Sequence, residues 1–93
     1  MKEMARARII VKGRVQGVSY RAYTVDTASA LGLTGWVKNT PGGDVEITAE
    51  GAKGGIERLI KWCENGPSLA NVRSVHTEWE PFVGEFSDFD IAY

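Results

Sequence analysis

Residues 5–21, ARARIIVKGRVQGVSYR, change their period partway along, and that change decides the architecture. Ala5, Ala7, Ile9 and Val11 alternate with Arg6, Arg8 and Lys12, the two-residue period of a strand that buries one face. The strand is expected to end at Gly13. From Tyr20 the spacing is helical: Tyr20, Tyr23, Thr27, Ala30 and Leu31 fall on one side, and Gly32 stands where a helix C-terminus favours a left-handed residue. The intervening GRVQGVSYR, residues 13–21, therefore leads from a strand into a helix N-terminus.

Working outward, Leu33 to Lys38 and Val45 to Ala49 read as two strands. Thr40-Pro41-Gly42-Gly43 between them suits a turn with proline second and glycine third, so they form a hairpin. Val45, Ile47 and Ala49 point one way and Asp44, Glu46, Thr48 and Glu50 the other, which predicts a hairpin that covers a core on one face only. Ile56, Leu59, Ile60 and Cys63 recur at helical spacing until Gly66-Pro67 stops the element. Val72 to Trp79 alternates again, with Val75 and Trp79 on one side. Phe89, Ile91 and Tyr93 alternate with Asp88, Asp90 and Ala92 at the end.

Strand, helix, strand, strand, helix, strand and a short terminal strand is the order of an α+β, ferredoxin-like β-α-β-β-α-β sandwich. It places two helices on one face of an antiparallel sheet. At 93 residues, a quarter of them charged, the chain has the size of a single domain spanning 1–93. That fold hosts unrelated functions, so function must come from the site.

Cys63 is the lone cysteine, which excludes an internal disulfide and a cysteine metal cluster and favours a reducing, cytoplasmic setting. The opening MKEMARARIIVKG has too short an apolar run for a secretion signal, and no later stretch has membrane-spanning length, so no membrane partner is expected. Charge is uneven. Residues 1–21 carry Lys2, Arg6, Arg8, Lys12, Arg14 and Arg21 against Glu3 alone, while residues 74–93 carry Glu78, Glu80, Glu85, Asp88 and Asp90 with no lysine or arginine. Oppositely charged strands lying side by side explain this as well as a basic ligand-facing edge does. The concentration of Lys12, Arg14 and Arg21 about one turn is the local exception.

A loop that feeds a helix leaves amide N–H groups without internal partners, the helix dipole adds a positive field, and an arginine in the first turn offers a planar fork to two phosphate oxygens. Gly13 and Gly17 let the backbone bend around such an anion. Spacing alone is shared by many strand-to-helix turns, and the loop lacks the Gly-Lys-Ser/Thr ending of a nucleotide-binding P-loop.

GRVQGVSYR together with GWVKN at Gly35 to Asn39 resembles the acylphosphatase family, and the similarity extends through DVEITAEG to the closing FDIAY. The resemblance implies a cofactor-free hydrolase of the carboxyl–phosphate bond, acting on a small acyl phosphate and releasing inorganic phosphate; a monomer is the expected state, with nothing in the sequence to fix it. It implies that the backbone of Arg14, Val15, Gln16, Gly17, Val18 and Ser19 binds phosphate with Arg21, and that Asn39 positions the attacking water. It also implies that the last strand brings the terminal carboxylate of Tyr93 near the arginine as a counter-ion. Ser19 stands where the family commonly has glycine, and Tyr20 where phenylalanine is usual. Ser19 is small enough for the loop path at a negative φ, whereas a glycine-only conformation would spoil the cradle. The Tyr20 hydroxyl needs a partner or water.

The implied chemistry needs no general acid, because a carboxylate with a conjugate-acid pKa of about 4 departs unaided. His76, the one histidine, alternates away from Val75 and Trp79 and is expected on the solvent face. Cys63 shares the apolar helical stripe and reads as a buried thiol. Two other readings remain on the sequence. An RNA-binding sheet is disfavoured, because DVEITAEG carries acids and no aromatic residue where bases would stack. An anion-sensing domain without turnover would keep the same cradle.

Overall fold

The computed structural model describes residues 3–93; Met1 and Lys2, the latter counted in the basic N-terminal segment, lie outside the described residues. In chain order the elements are β1 (Met4–Arg14), α1 (Tyr20–Ala30), β2 (Thr34–Asn39), β3 (Val45–Ala52), α2 (Lys53–Cys63), β4 (Asn71–Glu80) and β5 (Phe89–Ile91). They form the expected α+β sandwich, two helices on one five-stranded sheet ordered β4-β1-β3-β2-β5.

The apolar alternation of β1 sets the core. Ala7, Ile9 and Val11 stand opposite Ala49, Ile47 and Val45 of antiparallel β3, and all six are fully buried. Val37 of β2 pairs with Ile47 and joins the same face, on which Ile56, Leu59 and Cys63 of α2 also pack. On the other side of β1, β4 pairs antiparallel, with Val75 beside Val11 and Trp79 beside Ala7.

Several local details depart from the sequence reading. β1 runs one residue past Gly13, because the register to β4 slips between Lys12 and Gly13 and pairing resumes through Arg14 and Asn71. Gly13 sits in that bulge at φ 128, where a Cβ would overlap the carbonyl oxygen of Asn71, so only glycine fits. In the β2–β3 turn, the Gly43 N–H bonds the Thr40 carbonyl at 3.1 Å, but the left-handed residue is Gly43 at φ 95, one position later than expected. The sheet is not wholly antiparallel, since β5 adds to β2 in parallel.

α1 buries Tyr20, Thr24 and Ala28 rather than the Tyr23–Thr27–Ala30 side, and Tyr23 is exposed. Small residues let α1 approach the sheet, and the Thr24 hydroxyl is satisfied locally by the Tyr20 carbonyl at 2.8 Å. Its end matches expectation: Gly32 at φ 73 and Leu33 return their N–H groups to the carbonyls of Ser29 and Ala28.

Part of the hairpin is buried on both faces, against the expectation of one: in β3, Thr48 is nearly buried and Glu50 fully so. Residues 83–85 fold back over Glu50 on the sheet face away from the helices.

Candidate active site

The loop between β1 and α1 is pinned from beneath by two valines. Val15 and Val18 are buried in the core, so they offer the solvent side backbone only. Gly17 at φ 75 and Ser19 at φ 64, ψ 24 turn that backbone into the helix. Among the described residues, the N–H groups of residues 15–20 donate to no protein acceptor, while Ser19 already accepts from the Tyr23 N–H at 3.2 Å. A run of unpaired amides at a helix start is a concave anion-binding surface.

Ser19 is the only non-glycine among the described residues with positive φ. Of the two cases set out from the sequence, neither holds: φ is positive, yet not in a glycine-only region. The conformation adopted is left-handed helical, which an L-residue reaches at a cost of about 1–2 kcal/mol, not the region reserved to glycine, so the loop path survives the serine.

A cavity of about 340 Å³ opens above this loop, lined by Val15, Gly17, Ser19, Tyr20, Arg21, Ala22, Asn39 and Ile91. It brings together Arg21 from the first turn of α1 and Asn39 from the last residue of β2. Asn39 Oδ1 is buried and has no hydrogen-bond partner. A buried amide oxygen left unpaired costs about 1–3 kcal/mol, and such an atom at a cavity wall is suited to hold a polar ligand.

Of the other sequence candidates, Arg14 is exposed at the end of β1, and neither it, Gln16 nor Val18 lines the cavity. The Gln16 side chain turns away, its Nε2 donating to the Thr40 and Asp44 carbonyls. Tyr93 brings its ring to within 5.8 Å of the Arg21 guanidinium, and Arg21 makes no ion pair among the described residues, so the expected carboxylate contact is replaced by an aromatic one. Ala22 and Ile91 were not legible as site residues. Ala22 follows Arg21 in the first turn of α1, and Ile91 arrives through the parallel docking of β5 on β2, which no local pattern encodes.

The Tyr20 hydroxyl does find a partner, donating to the Cys63 carbonyl at 2.9 Å in the core. Burial raises the Tyr20 phenol well above its ordinary range and pushes the Cys63 thiol up to about 12, which leaves both groups un-ionised. His76 is exposed on the face away from the helices, as expected.

The family model for acylphosphatase matches residues 7–91. An acylphosphatase of Pelotomaculum thermopropionicum is 48% identical over 89 residues, covering 96% of this chain and 97% of its own. Among solved structures, the acylphosphatase of Bacillus subtilis superposes with a TM-score of 0.92 at 35% identity, covering 96% of this chain and 99% of its own. That of Coxiella burnetii gives 0.90 at 39% identity, over 96% and 93%.

Proposed function

The chain belongs to the acylphosphatase family and hydrolyses acyl phosphates, and from that premise we propose how its residues divide the work. The backbone amides of Val15 to Ser19 and the Arg21 guanidinium bind the phosphoryl oxygens, with Arg14 left to its pairing in β1, and Asn39 Oδ1 accepts a hydrogen bond from the attacking water. One observation carries this reading: the unpaired loop amides, Arg21 and the unpartnered Asn39 oxygen converge on a single cavity.

The assignment follows the charge of the reaction. Negative charge resides on the equatorial phosphoryl oxygens in the transition state, where preorganised N–H donors and a guanidinium are each worth about 3 kcal/mol. Asn39 is no base; its amide oxygen holds the water in line with the scissile P–O bond. The water oxygen forms the new bond to phosphorus, the carboxylate leaves with the bonding pair, and the water's proton passes to the phosphoryl oxygens. Because the leaving carboxylate is a stable anion, the site has no task for a general acid.

The same reading takes the working unit as a cytoplasmic monomer. It assigns no nucleic-acid partner, because Arg6, Arg8 and Lys12 on the sheet are each engaged by a carboxylate.

Hydrolysis of benzoyl phosphate in EDTA tests the division of roles. Asn39→Ala is expected to lower kcat about 100-fold or more while competitive inhibition by inorganic phosphate is largely kept, whereas Arg21→Ala loses both. Equal loss of phosphate inhibition in the two variants would contradict it.

A further inference from the structure

We propose that Gln16 is a positioning residue: its carboxamide fastens the phosphate loop to the β2–β3 turn and so fixes where Asn39 stands relative to the loop amides. The inference rests on the role given to Asn39 above.

The two N–H groups of the Gln16 carboxamide have two acceptors, the Thr40 carbonyl at 2.8 Å and the Asp44 carbonyl at 2.9 Å. Those same carbonyls close the turn. Thr40 O accepts from the Gly43 N–H at 3.1 Å and Asp44 O from the Thr40 N–H at 2.9 Å, while Thr40 Oγ1 accepts from the Asp44 N–H at 3.2 Å. Bonded across itself in this way, the turn moves as one piece, and Asn39 is the residue that enters it.

Asn39 has no other tether. Among the described residues its side chain makes no hydrogen bond to the protein, so its backbone position alone, paired to Val45, places its amide. On the loop side, Gln16 lies between the buried anchors Val15 and Val18, and among the described residues its two bonds are the only side-chain hydrogen bonds from the loop to the hairpin. The sheet does not supply the link directly, because β3 separates β1 from β2. Donor chemistry restricts the residue type: a glutamate repels both carbonyls, and asparagine is a methylene shorter.

The experiment is a four-member cycle with benzoyl phosphate: wild type, Gln16→Met, Asn39→Ala and the double variant, with inorganic phosphate as competitive inhibitor. Gln16→Met is expected to lower kcat roughly 10- to 100-fold and to change phosphate inhibition less than about threefold, since misplacement by about 1 Å suffices for such a loss. In the Asn39→Ala background the same change is expected to lower kcat by less than about threefold, because the group it positions is gone. Equal factors in both backgrounds would overturn the inference and leave the role of Asn39 standing; full turnover by Asn39→Ala would overturn both.

Should Gln16→Met unfold at the assay temperature, Gln16→Glu supplies the second arm. Its protonated carboxyl donates to one carbonyl, so relative to wild type its kcat is expected to recover as pH falls through the carboxyl's titration. A pH profile parallel to that of the wild type would refute the clamp.

Discussion

Ser19 shows how a single residue tunes this site. Its left-handed backbone costs about 1–2 kcal/mol for an L-residue, and glycine would relieve that while losing about 0.5–1 kcal/mol through the greater freedom of its unfolded chain. The balance favours glycine slightly. Ser19→Gly is therefore expected to raise unfolding stability in urea by up to about 1 kcal/mol, and Ser19→Val to lower it by at least that much, since a β-branched residue resists positive φ more strongly. A Ser19→Gly chain less stable than the wild type would mean that the serine makes a compensating interaction. Reading the residues alone could locate Ser19, Arg21 and Asn39, because their chemistry and the two family-like blocks are local. It could not tell the φ of Ser19, which is imposed by Val15 and Val18 seating the loop from below.

At the level of elements, β1, β3 and α2 were more legible than α1, for a physical reason. Strands here alternate strongly charged and strongly apolar residues, so a period of two stands out in β1 and β3. The stripe of α2, Ile56, Leu59 and Cys63, is equally plain. α1 carries alanine, threonine and tyrosine on several sides, so tyrosine spacing pointed to Tyr23 while packing chose the smaller Thr24 and Ala28. Beyond this packing, one side-chain hydrogen bond fastens the start of α1. Tyr20 donates to the Cys63 carbonyl at the end of α2, and its ring lies 5.3 Å from that of Trp62, so a single side chain ties the start of the site helix to the end of the other helix. Tyr20→Phe keeps the ring and strands a buried carbonyl, which is expected to cost about 1–2 kcal/mol in thermal or urea unfolding. No loss of stability would imply that the Cys63 carbonyl finds another donor once the hydroxyl is gone.

Across the whole molecule, the feature least visible in the sequence is the burial of Glu50 on the sheet face away from the helices. Glu50 alternates with core residues and looks like a solvated acid, yet it is fully enclosed because residues from the distant β4–β5 connection close over it. Its carboxylate accepts from the N–H groups of Val83 at 2.7 Å, Gly84 at 3.1 Å and Glu85 at 3.2 Å, and Arg6 approaches to 3.4 Å. Arg6 is itself held by Glu85 at 2.6 Å and Glu80 at 3.1 Å, and its guanidinium lies 5.2 Å from the Phe86 ring centre. This nest fastens the segment that delivers β5, and β5 brings Ile91 to the cavity. Burial pushes the Glu50 carboxyl upward, but the three backbone donors and Arg6 outweigh it and hold the group below its ordinary value of 4.5. A depressed folded value means that the ionised group stabilises the fold in full above the unfolded titration and that this contribution is lost as pH falls from there through the folded value. Glu50→Gln is therefore expected to be less stable than the wild type by roughly 2–3 kcal/mol at neutral pH, as charge-assisted hydrogen bonds are lost. Urea unfolding at a series of pH values checks the sign: the gap between the two chains should narrow steadily below the ordinary glutamate range. A gap that stays constant down to about pH 3 would show that Glu50 titrates alike in the folded and unfolded chains, and that the strap over the sheet is held by packing instead of by this carboxylate.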